Sequence, residues 1–117
     1  MGKLSTHVLD ISIGKPAAGV QVSLYAITPQ GRELRVQAVT NADGRCDAPL
    51  LEGEHMLAGK YELVFGAGAY FAARGVELPE PRFIDEVTLA FGIASPEQNY
   101  HVPLVVSPWA YSTYRGS

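Results

Sequence analysis

Apolar and polar residues alternate with a period of two through most of the chain, the mark of strands with two unlike faces. Leu4 to Ile13 sets Leu4, Thr6, Val8 and Asp10 on one face and Ser5, His7, Leu9, Ile11 and Ile13 on the other. Both faces are partly apolar, so a second buried surface, such as a subunit contact, is expected beside the core. Val20 to Ile27 alternates cleanly, with Val20, Val22, Leu24 and Ala26 inward. Leu34 to Thr40 follows, with Leu34, Val36 and Ala38 expected inward. Tyr61–Phe65 and Asp85–Gly92 read as further strands, and His101 onward as a last pair joined at a Ser107-Pro108 corner.

Between them lie turn signals: Gly14–Gly19, Pro29-Gln30-Gly31, Asn41-Ala42-Asp43-Gly44 and Ala94–Gln98. The alanine-rich run from Ala67 to Arg74 predicts a short helix ended by Gly75. Pro79-Glu80-Pro81 is a rigid linker, and Leu50 to Gly59 reads as a short edge strand plus loop. Seven or eight short strands with one short helix predict an all-β fold, an antiparallel β-sandwich. The length of 117 residues predicts a single domain over residues 1–117.

Composition narrows the partners. A chain this long buries about two-thirds of its unfolded surface and needs no covalent staple. A net charge of −3 argues against nucleic acid as a partner. Cys46 is the one cysteine, so no intrachain disulfide can form. The apolar stretch after Met1-Gly2-Lys3 is interrupted by His7 and Asp10, unlike a secretory leader. The uncharged run Gln98–Tyr114 contains His101, Pro103 and Pro108, which makes it a poor membrane span. The expectation is a cytoplasmic protein with no membrane partner.

The candidate chemistry centres on His7, His101 and Arg45. The histidines His7, His55 and His101 lack metal-ligand spacing, so no metal is implied, and there is no Gly-x-Ser-x-Gly nucleophile motif. Cys46 beside Arg45 is either a thiolate favoured by the cation or a small space-filler. His7 shares a face with Leu9 and Ile11, and His101 with Pro103 and Val105. An imidazole on such a face is either a satisfied strand residue or a group poised to move protons near neutral pH. Arg45, directly after Gly44, is either a solvated loop cation or a fixed donor for a carbonyl or oxyanion. His55 is expected at the surface. The uncharged run leads into Tyr114-Arg115-Gly116-Ser117, a tip expected to be docked and used.

Leu4-Ser-Thr-His-Val-Leu-Asp10, Asp43-Gly-Arg45, Tyr100-His-Val-Pro103, Ser107-Pro108 and Tyr111-Ser-Thr-Tyr-Arg-Gly-Ser117 together resemble the transthyretin-like 5-hydroxyisourate hydrolases. The resemblance spans essentially the whole chain, and the terminal Tyr-Arg-Gly-Ser is its most specific part. It implies two four-stranded sheets and a homotetramer, a dimer of dimers whose channel is lined by the first strand and the last two strands, with Arg115-Gly116-Ser117 at its wall. It implies a small-molecule substrate, 5-hydroxyisourate, hydrolysed without metal, cofactor or covalent nucleophile. One of His7 and His101 would activate water, while Arg45 and the other histidine hold the substrate and its developing charge. Ser112, Tyr114 and Ser117 would bind substrate edges. Two alternatives stand beside this reading: a non-catalytic carrier of the transthyretin type, and an accessory sandwich module suggested by Gly14-Lys-Pro-Ala-Ala-Gly-Val20 followed by Asn41-Ala-Asp-Gly44. Leu50–Gly59, longer and more acidic than the family pattern, and Trp109-Ala110 depart from the resemblance and bear on subunit contacts.

Overall fold

The computed structural model describes residues 1–116; the expected substrate contact Ser117 lies outside the described residues. Ten strands and one α-helix follow in chain order: β1 (Leu4–Ser5), β2 (Val8–Asp10), β3 (Lys15–Pro16), β4 (Gln21–Thr28), β5 (Gly31–Val39), β6 (Gly59–Phe65), α1 (Ala67–Ala73), β7 (Val87–Ile93), β8 (Tyr100–His101), β9 (Leu104–Val106) and β10 (Tyr111–Thr113). One sheet has the order β5-β4-β6-β7 and is antiparallel throughout. The other has the order β10-β9-β2-β3, and β1 pairs with β8 beside it.

The β1–β8 and β2–β9 pairs are parallel and share one register, Leu4 on Tyr100, Ser5 on His101, Val8 on Leu104 and Asp10 on Val106. They are two halves of a single pairing, broken only at Thr6–His7 opposite Val102–Pro103. The ladder carries on across the gap: Val102 N–H donates to Ser5 O, and Leu104 N–H to His7 O. The buried Thr6 hydroxyl donates to Val102 O at 2.7 Å. Counted this way, the fold is the expected sandwich of two four-stranded sheets. The parallel pairing joins the first strand to Tyr100–Val106, and β10 then pairs antiparallel with β9.

Leu4, Val8, Leu24, Leu63, Phe65 and Leu104 are fully shielded between the sheets. The first strand therefore spends its Leu4–Thr6–Val8–Asp10 face on the core, and its Ser5–His7–Leu9 face is half-exposed outside. The strand stops at Asp10, three residues short of the expected Ile13. The Asp10 carboxylate accepts from Ser12 N–H at 2.9 Å and turns the chain, leaving Ile11 and Ile13 exposed.

The expected inward position of Leu34 is corrected: it is 52% exposed. Leu24 pairs with Val36 but Tyr25 pairs with Leu34, so the ladder slips at a bulge around Arg35. A slip of one residue moves every later side chain to the other face. The expected helix is α1, closed by Gly75 at φ +82°. Leu50–Gly59 contains a single 3₁₀ turn at Gly53–His55 and an isolated bridge from Leu51 to Leu4.

Candidate active site

Backbone pairing brings three separated segments together on the outer face of the β2–β9 sheet. The Asn41–Gly44 turn delivers Arg45. Asn41 Oδ1 accepts from the N–H of Asp43 and of Arg45, and Gly44 N–H donates to Asn41 O. Gly44 adopts φ +74°, and a Cβ there would stand 2.4 Å from Val8 O. Only glycine fits so close an approach. Val8 N–H then donates to Gly44 O at 2.8 Å, and Arg45 forms an antiparallel bridge with His7.

The parallel register sets His101 beside Ser5, two residues before His7 on the same face. Ser5 Oγ lies 2.9 Å from His101 Nδ1. The chain end returns to the same place, where Gly116 N–H donates to His101 O at 2.7 Å. A Cβ on Gly116 would lie 2.8 Å from His101 Cδ2, so the tail backbone rests against the ring. Arg115 anchors that tail. Its guanidinium sits 4.1 Å from the Tyr100 ring centre and donates to Asn99 O and Gln98 Oε1.

The electrostatics follow from this convergence. His101 is held below the ordinary histidine range, first by burial and then by the positive charge of Arg45 and His7. His101 is thus a neutral imidazole at pH 7. His7 Nε2 is buried without a hydrogen-bond partner, a polar atom left open beside the site. Arg45 makes no ion pair among the described residues, so its donors are available. A cleft of about 180 Å³ lined by Ser5, Thr6, Arg45 and Asp47 lies alongside. Cys46 is packed partly against the core, and burial followed by the Asp47 charge pushes its thiol up. The thiolate alternative for Cys46 does not hold, because burial and the Asp47 charge both disfavour the anion.

Ser112 is exposed in the outward row Ser112–Val105–Leu9, one pleat beyond His7. Tyr114 is exposed and lines a different cleft, of about 220 Å³, with Leu89, Phe91 and Arg115. Among the described contacts none joins it to the imidazoles. His55 is at the surface. No group of three or more metal-ligating side chains gathers among the described residues.

Ser5 was missed from sequence, and Gly116 was expected only as part of a docked tip, not against the His101 ring. Their period-two phase was visible, but the register that sets them against His101 was not. A second buried cluster was also missed: Asp10 accepts from Tyr70 Oη at 2.8 Å and from Arg74 Nη1 at 3.3 Å. It ties α1 to the end of β2.

A β-sandwich that gathers two imidazoles and a guanidinium on an outer sheet face is a transthyretin-type fold carrying a polar site. The chain belongs to the HIUase/Transthyretin family, whose model matches residues 4–116. A 5-hydroxyisourate hydrolase of Pseudomonas aeruginosa is 56% identical over 117 residues, covering 100% of this chain and 93% of that protein. The structure of Klebsiella pneumoniae 5-hydroxyisourate hydrolase superposes with a TM-score of 0.83 at 39% identity, covering 100% of both chains. The crystal structure of (S)-allantoin synthase gives a TM-score of 0.94 at 44% identity over 99% of this chain, which spans only 44% of that longer one. Sea bream transthyretin in complex with thyroxine gives 0.86 at 26% identity, over 97% of this chain and 94% of its own.

Proposed function

We propose that this chain hydrolyses 5-hydroxyisourate to 2-oxo-4-hydroxy-4-carboxy-5-ureidoimidazoline, a step of urate degradation. The observation that carries the reading is full-length similarity to 5-hydroxyisourate hydrolases at 39% and 56% identity, against 26% for a thyroxine-binding transthyretin. The site supports the chemistry. His101, neutral at pH 7, takes a proton from water as the water oxygen bonds to a ring carbonyl carbon. Arg45 donates to the oxyanion that develops, and the open His7 Nε2 meets a polar edge of the flat substrate. The ring C–N bond then breaks. The ring nitrogen takes the proton from His101, and the carbonyl carbon leaves as a carboxylic acid that ionises. Ser112, Tyr114 and Ser117 complete the substrate contacts.

In this reading residues 1–117 form one transthyretin-like domain that assembles as a homotetramer in the cytoplasm. Exposed Ile11, Ile13, Trp109, Tyr111 and Tyr114 around the site-bearing sheet support burial against other copies. Tyr114 would reach a site in a neighbouring copy through that assembly. No helix among the described residues is long and apolar enough to cross a membrane.

The test generates 5-hydroxyisourate in a cuvette with urate oxidase and follows its ultraviolet decay with this protein and with His101→Asn. The expected result is accelerated decay that the variant loses by roughly 10²–10³. Decay no faster than the spontaneous rate would overturn the enzyme reading and favour the carrier.

A further inference from the structure

We propose that Ser5 is a positioning residue that accepts a hydrogen bond from His101 Nδ1–H and so presents Nε2 of that ring as the proton acceptor. The inference rests on the catalytic reading of His101. A base needs a free lone pair, and in a neutral imidazole one nitrogen carries hydrogen while the other is open. Ser5 Oγ, 2.9 Å away, is the sole partner of Nδ1 among the described residues. Ser5 Oγ makes no other hydrogen bond there. With the proton on Nδ1, Nε2 faces the reaction. Gly116 closes off the Cδ2 edge of the ring. A serine on one edge and a glycine backbone on the other fix both tautomer and orientation.

The charged groups around this ring are few. Arg45 and His7 act on it directly. Cys46 and Asp47 share the Ser5 cleft, and Arg115 is turned away onto Tyr100. A hydrogen bond accepted from Nδ1–H favours the protonated ring as well as this tautomer. Removing it therefore lowers the basicity of His101, and the acid limb of the rate profile moves to lower pH. A serine that donated to Nδ1 would give the opposite shift.

The experiment has two arms. Imidazole-¹⁵N spectra of the whole protein near pH 8, with the His101 signals identified by their loss in His101→Asn, read the tautomer directly. The expected result is a protonated Nδ1 and an open Nε2. In the rate arm, Ser5→Ala loses roughly tenfold in kcat with little change in KM, as expected for one hydrogen bond. Its acid limb moves down in pH, and Ser5→Thr restores both. Wild-type kcat and pH profile in Ser5→Ala, or an unprotonated Nδ1 in the spectra, would overturn the assignment. If Ser5→Ala does not fold, the wild-type spectra decide alone. Full activity in His101→Asn would remove the parent reading, while the spectra would still report whether the Ser5 bond exists.

Discussion

Substituting Gly116→Ala tests how tightly the ring of His101 is held. The new Cβ would stand 2.8 Å from His101 Cδ2, 3.2 Å from its Cβ and 3.3 Å from its Cγ. Carbon atoms prefer separations of about 3.5–4.0 Å, so ring or tail must retreat by roughly 0.7 Å. Gly116 does not adopt a left-handed conformation, so alanine brings no backbone strain of its own. The perturbation is thus confined to the imidazole and the tail. A displacement of about 1 Å at a catalytic group costs up to roughly 10² in rate. We expect kcat for 5-hydroxyisourate to fall about 10- to 100-fold while stability changes by less than about 1 kcal/mol. The ultraviolet decay assay gives the rate and a thermal melt gives the stability. Gly66→Ala is the control, since its Cβ would meet Gln21 Cβ at an ordinary 3.5 Å. Wild-type kcat in Gly116→Ala would refute the reasoning, as would a rate loss fully explained by unfolding.

Three further expectations follow from the structure. Because burial, Arg45 and His7 hold His101 low, activity should persist below pH 6.5 and fall only as that ring protonates; in Arg45→Gln the residual activity should show this limb at higher pH, and an unmoved limb would separate the two residues. Tyr70 Oη is pushed up to about 12, first by burial and then by its bond to Asp10. Its stabilising contribution is complete below pH 10, where unfolded tyrosine begins to ionise, and is lost as pH rises toward 12. Tyr70→Phe should cost about 1–3 kcal/mol at neutral pH by denaturant titration and flatten the alkaline decline. Leu34→Ser should change stability by no more than about 0.5 kcal/mol, whereas Leu24→Ala should cost about 2–5 kcal/mol; equal losses would contradict the bulge at Arg35.

Alternation located β4, β6, β7 and the two strands that pair in parallel, because one side of each faces a core that must be dry. It mislaid Leu34, since a bulge leaves no trace in hydrophobicity. It also ran the first strand past Asp10, where a side-chain hydrogen bond and not polarity turns the chain. His7 and His101 stood out as polar residues on otherwise apolar faces, and Arg45 by following a glycine turn. Ser5 did not, because a serine on a strand has many ordinary uses, and Gly116 was legible only as part of a docked tip, not as the wall of the His101 ring. Their significance depends on strand register between distant segments, which period-two patterning does not encode. Asp10, Tyr70 and Arg74 were hidden for the same reason, being separated by 60 and 64 residues.

The parallel pair bears on how the molecule comes into being. Ser5 and His101 are 96 residues apart, as are Thr6 and Val102. Closing so long a loop is entropically slow, and nothing local rewards it early. On a ribosome the first strand emerges with its core face bare and waits while the β5-β4-β6-β7 sheet and α1 are made. Its partner, Tyr100 to Val106, arrives only after all of these. A chain cut short before Tyr100 would hold His7 and Arg45 but neither the second imidazole nor the strand that seats the first. The chemistry thereby waits on synthesis of Tyr100–Val106, and a copy cut short before them carries an unpaired strand edge, the form most exposed to misassembly.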